Sequence, residues 1–214
     1  MSGILELLNS DVGRQMISGV SRETRQPADK TAKVVSMALP LLMGAMKRNA
    51  STPEGAAGLL GALDNKHDGS VLDNLGSFFG GGVDEAQKVD GLGILGHVLG
   101  GSQDNVVGAL SQKSGVDSNS VMNILSTAAP LILGYLGKQK RQQNVNSQAG
   151  IGDLLGGLMG NGTQQPKQQS LIESLLDGDN DGSILDDVAG MVLNTGGRKK
   201  RGGLGGLLGG LFRR

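Results

Sequence analysis

"VVSMALPLLMGAM" fills residues 34–46, and "ILSTAAPLILGYL" fills residues 124–136. The second begins 124 − 34 = 90 residues after the first, with Pro130 on Pro40 and Gly134 on Gly44. In the first stretch Val34, Val35, Ala38, Leu41, Leu42 and Ala45 recur at three- and four-residue steps, the period of a helix with one apolar stripe. The spacing predicts a pair of long, repeat-related helices. Pro27 and Asp29 ahead of the first, and Asp117 and Ser118 ahead of the second, are suitable starts. A proline inside each stripe predicts a bend or restart at the same point of both copies, because proline removes a helical hydrogen bond.

The repeat extends toward the N-terminus without a gap: "GILELLNSDVGRQMISGVS" at 3–21 lies against "GILGHVLGGSQDNVVGALS" at 93–111. Ile4, Leu5, Leu8, Val12 and Met16 carry a helical period there too. Toward the C-terminus, "AGLLGALDNKHDGSVLDN" at 57–74 matches "SLIESLLDGDNDGSILDD" at 170–187, an offset of 113. The second copy therefore carries an insertion of 113 − 90 = 23 residues, placed in about 142–169. That segment contains "RQQNVNSQAG" and "NGTQQPKQQ", polar and Gln/Asn-rich, the composition of a disordered linker. The expected organisation is one helical repeat over 3–82, a second over 93–195 and a basic Gly/Leu-rich tail over 196–214.

Composition favours an all-α fold of duplicated helical modules packed together. Apolar residues make up 37% of the chain and aromatics 2%, so the core must be aliphatic, whereas strands are enriched in aromatic and β-branched residues. Twenty basic and twenty acidic residues cancel, which leaves no overall field to attract nucleic acid. With no cysteine there is no disulfide, thiolate metal site or cysteine nucleophile. The start "MSGILELLNSDVGRQ" has no basic n-region, and no uninterrupted apolar run reaches the ~18 residues of a membrane span, so a cytoplasmic location is expected.

The phrases "SPEGAAGLLGALD", "DHDGS" and "GILGHVLG" characterise a YidB-like bacterial family classified only as a domain of unknown function. Here they stand, with small changes, at residues 52–64, 66–70 and 93–100, and the chain resembles that family over about residues 3–193. Lys66 occupies a position where Asp is common. The resemblance implies no catalytic residue.

The acidic phrase at 176–187 has the oxygen density that a hard cation needs. With Asp177 as position 1, Asp179 and Asp181 fall at 3 and 5, Gly182 supplies the turn at 6, and Ser183 offers its carbonyl at 7. Position 12 is Val188 rather than Glu, so Asp187 would have to close a Ca²⁺ shell with altered geometry. The alternative is a capping box, Ser183 with Asp186, matched in the first copy by Ser70 with Asp73. In the first copy Lys66 stands at position 3 and leaves only Asp64 and Asp68 as ligands. His67 and His97, the two histidines, show no spacing that pairs them; His97 takes the slot of Leu7, which favours a packing role.

In the tail, Leu204, Leu207, Leu208 and Leu211 fall at i, i+3, i+4 and i+7, followed by Phe212. Glycines between them make a free helix there costly in water, so the stripe needs a surface. Its wording "LLGGLF" repeats inside the linker as "LLGGLM", with Leu154, Leu155 and Leu158. Both read as partner-binding motifs, or else as drift in a glycine-rich chain. The partners expected are a second copy or another protein, with an anionic membrane surface as a further option through Arg198, Lys199, Lys200 and Arg201. No small-molecule substrate is evident, and no nucleophile, base or phosphate motif marks an enzyme. The chain reads as a non-enzymatic interaction or self-assembly protein, with a calcium-stabilised module as the alternative.

Overall fold

The computed structural model describes residues 4–159. The helices are α1 (Ile4–Asn9), α2 (Asp11–Thr24), α3 (Ala28–Asn49), α4 (Pro53–Asn65), α5 (Ser70–Asp73), α6 (Leu75–Gly80), α7 (Glu85–Leu99), α8 (Gln103–Ser114), α9 (Ser118–Gln142) and α10 (Gln148–Leu158). A short 3₁₀ turn, Gly100–Ser102, joins α7 to α8, and there is no strand among the described residues. The fold is all-α.

The ends of these helices follow from local chemistry. Ser10 caps α2 by accepting from the Gly13 N–H at 3.1 Å, and Asp117 caps α9 by accepting from Ser120 at 2.9 Å. Asp84 and Gln87 exchange hydrogen bonds in a capping box that starts α7. Gly115, with φ of 70°, ends α8 in the left-handed conformation that glycine tolerates best. Pro40 and Pro130 lie inside α3 and α9, each of which is one helix from end to end rather than a restarted pair.

The ninety-residue offset holds in three dimensions up to the third helix: α3 begins at Ala28 and α9 at Ser118. Beyond that the sequence expectation needs correcting. The segment expected to be disordered contains α10, whose Ile151, Leu154, Leu155 and Leu158 are all buried. Those four positions are i, i+3, i+4 and i+7, and polar Gln and Asn residues on either side hide the stripe in composition. α10 has the place in chain order that α4 has in the first copy. Thr52 caps α4 by accepting from Gly55, and Ser147 caps α10 by accepting from Gly150, each at 3.1 Å and 147 − 52 = 95 residues apart. The match at offset 113 lies outside the described residues.

Packing crosses between the copies. α2 of the first copy lies on α9, and α8 of the second lies on α3. α4 also packs on α9, α10 on α3, and α4 meets α10. The core they share is aliphatic, with Leu39, Met43, Leu95, Ile124, Leu131, Leu136 and Leu155 fully buried. α9 is long and apolar enough to cross a membrane, but 78% of its most apolar window is buried inside this packing.

Glycine sets how close the neighbours of α9 come. A β-carbon on Gly91 of α7 would collide with the Ser126 carbonyl, the acceptor left without its helical partner by Pro130. A β-carbon on Gly137 would collide with the His67 carbonyl, and one on Gly134 would stand 2.6 Å from the Val71 side chain. Gly44, the repeat counterpart of Gly134, has no atom within 4 Å of that position. Gly137→Ala is therefore expected to lower stability by about 2–3 kcal/mol through backbone overpacking. Gly44→Ala should raise it by up to ~1 kcal/mol through helix propensity. Thermal melts of the two variants check both signs.

Candidate functional site

Helix α4 runs out at Asn65 and the chain turns over the surface of α9. The acidic phrase of the first copy sits at this turn, and its carboxylates already have cations. Lys140 Nζ meets Asp64 Oδ1 at 2.6 Å, Arg141 Nη1 meets Asp68 Oδ2 at 3.0 Å, and Lys138 Nζ meets Asp73 Oδ1 at 2.8 Å. The other Asp68 oxygen accepts from the Ser70 N–H at 3.0 Å. That backbone bond is the main reason the Asp68 carboxyl is held below its usual range, with Arg141 adding to it.

The expected pairing of Ser70 with Asp73 is not formed. Gly69, at φ 99°, occupies the N-cap position and Ser70 is the first residue of α5, so Asp68 holds the turn by bonding two residues ahead. Lys140 is the buried member of the network, with its side chain 5% exposed against 56% for Asp64. Asp64→Ala leaves an ammonium buried without a partner, whereas Lys140→Met replaces it with an apolar chain of similar length. Asp64→Ala is expected to be the more destabilising by ~1–3 kcal/mol, a value discounted from that of a fully buried pair because Asp64 is half in solvent. Chemical denaturation of both variants tests the order.

His67 turns the opposite way, toward α7. Its side chain is 7% exposed and Nε2 stands 3.5 Å from Asp90 Oδ2, while Lys66 Nζ lies 4.0 Å from Asp90 Oδ1. These residues close one end of a cleft of about 930 Å³ between α4 and α7. Met46, Leu59, Ala62, Ile94 and Leu133 supply apolar lining, and Val89, 58% exposed, lies on the α7 side. At the far end Asn49 Nδ2 donates to the His97 carbonyl at 2.9 Å and ties α3 to α7.

His97 lines the same cleft and is exposed, although its repeat counterpart Leu7 is buried; the packing role expected from that match does not hold. Its Nδ1 is 3.2 Å from the Gly93 carbonyl, which as a donated N–H leaves Nε2 free toward solvent. Thr52 is committed to capping: its hydroxyl accepts from Gly55 and donates to Asn49. The cleft is thus mainly a shaped apolar surface with polar ends. Sequence spacing could not show that His67 and His97 share it, because two antiparallel helices bring them there.

Among the described residues, no group of three or more His, Asp or Glu side chains is placed to hold a metal ion. Asp177, Asp179, Asp181, Ser183 and Asp187 lie outside the described residues, as do Leu204, Leu207, Leu208, Leu211 and Phe212. Leu154, Leu155 and Leu158 are inside them and buried against this chain's own α3 and α4, so they are not an open partner surface.

The sequence profile of a bacterial protein family of unknown function (DUF937) matches residues 6–139 and again residues 141–212. The chain belongs to that family. No curated protein and no solved structure matches it significantly. Membership in the family brings no reaction with it, and the cleft has to be read from its own chemistry.

Burial is the main cause that pushes His67 below 6.5; the Asp90 carboxylate opposes it and the Lys66 ammonium adds to it. A histidine with a depressed pKa in the folded state binds fewer protons there than in the unfolded chain. Its contribution is full above the unfolded value near 6.5 and is lost as pH falls through the folded one. Stability should therefore decline below about pH 6.5, and His67→Gln should flatten that part of the profile. Denaturant midpoints between pH 7.5 and 5 are the measurement.

Proposed function

We propose that this protein is a non-enzymatic interaction module that self-assembles, and that the α4–α7 cleft is its receiving surface. The cleft carries this reading: a concave, largely apolar surface of about 930 Å³ between two antiparallel helices suits an amphipathic helix, whose apolar face needs such a groove. Several of the polar groups at its ends are already engaged, Lys66 and His67 beside Asp90 and Asn49 and Thr52 on backbone groups, which is the arrangement of a shaped surface. The second ingredient is the tail, whose leucine stripe needs a surface to fold against.

The calcium reading of Asp177, Asp179 and Asp181 gains no support from the repeat. Two of these positions, with Asp186, correspond at offset 113 to Asp64, Asp68 and Asp73, whose partners are lysine and arginine side chains.

Light scattering behind size-exclusion chromatography tests the proposal. Deleting residues 198–214, or Leu208→Asp, should lower the oligomeric mass. Gly93→Gln should do the same without lowering the melting temperature, because Gly93 lines the cleft and has open space over it. A wild-type chain that is monomeric at every concentration would refute self-assembly. Unchanged mass in the tail variants, with loss of binding to anionic liposomes, would assign the tail to a membrane surface.

A further inference from the structure

The walls of the cleft are α4 and α7 running in opposite directions: the start of α4 lies at the His97 end, and Lys66, just past its last turn, lies beside Asp90. Glycines line both walls, and around Gly58 and Gly93 nothing beyond the local helix backbone and chain neighbours lies within 4 Å of where a β-carbon would stand. Intrachain packing does not require glycine at either position, and glycine is unfavourable in a helix interior. Their effect is to leave bare backbone facing the cleft, which lets another helix come close.

The chain contains a phrase that α4 already receives. In α10 the wording "LLGGLM" forms a helical turn whose Leu154, Leu155 and Leu158 bury themselves against α3 and α4, and α10 does not line the cleft. The same wording, "LLGGLF", returns at residues 207–212. Resting on the reading of the cleft as a receiving surface, we infer that its occupant is the stripe at residues 204–212 of a second copy.

Length agrees with this occupant. From Val89 to Val98 the α7 wall rises about 14 Å, and a helix over 204–212 would rise about 12 Å. Basic residues bracket the stripe, Arg201 before it and Arg213 and Arg214 after it, while Glu54 and Asp90 stand at opposite ends of the cleft. Arg48 and Lys66 line the same ends and match those carboxylates in number, so the cleft has no net formal charge and the apolar contact must carry the affinity. Between Met159 and the stripe lie 203 − 159 = 44 residues, chain enough to reach a neighbouring molecule. Each chain offers this cleft and this stripe. Reciprocal exchange therefore closes a dimer, and exchange onward from copy to copy makes a chain of molecules.

The test is direct binding of a labelled peptide of residues 198–214 to the full chain carrying Leu208→Asp, followed by fluorescence anisotropy. Saturable binding is expected, at least tenfold weaker when Gly93→Gln is added to the receiving chain. A peptide with Leu207, Leu208 and Leu211 changed to Ser keeps every positive charge and should not bind. Equal binding by that peptide would show capture by charge alone, and equal affinity for the Gly93→Gln chain would place the contact elsewhere; either overturns the inference. If Gly93→Gln lowers the mass in light scattering but the wild-type peptide does not bind, the cleft remains an assembly surface and this occupant is wrong.

Discussion

Backbone contact along α9 is the constraint on which the other elements depend. At Gly91 the α7 helix comes down on the Ser126 carbonyl, and at Gly134 and Gly137 the turn after α4 lies directly on α9. Side chains could not be accommodated at Gly91 or Gly137 without moving backbone, so the depth of α7 and of that turn is fixed by what these residues lack. Once the turn is seated, Lys138, Lys140 and Arg141 are within reach of Asp73, Asp64 and Asp68. The cleft is a result of the same geometry: α4 ends where the turn begins, α7 crosses at Gly91, and the space between them stays open.

The two copies are related in sequence but not in task. α3 and α9 share length class, proline position and a basic last turn, yet Gly44 has empty space where Gly134 has Val71. Lys140 and Arg141 align with Ala50 and Ser51, so the first copy lacks two of the three cations that hold the acidic turn. Because the second helix of each copy packs on the third helix of the other, neither set has a complete core alone.

Much of this fold was legible from periodicity. The stripes at 34–46 and 124–136 name the two central helices, and the ninety-residue offset marks where each begins. α10 was missed because flanking Gln and Asn residues dominate a compositional reading, although Ser147 and the stripe from Ile151 to Leu158 were there to be found. The site was less legible. The acidic phrase suggested a metal or a cap, and nothing local to it could show that its counter-charges come from a helix end far along the chain. The two histidines share a cleft for the same reason, since an antiparallel crossing converts distant sequence positions into neighbours.

That distance also orders events in time as the chain is made. Asp64 meets Lys140 across 76 residues, and Asp73 meets Lys138 across 65. At ~5–20 residues per second, synthesis delivers Lys140 about 4–15 s after Asp64. Through that interval the acidic turn carries uncompensated negative charge and the faces of α2 and α4 that belong against α9 are uncovered. The nascent first copy is thus a temporarily sticky intermediate with a locally acidic turn, and the arrival of α9 covers its apolar faces and neutralises that turn together.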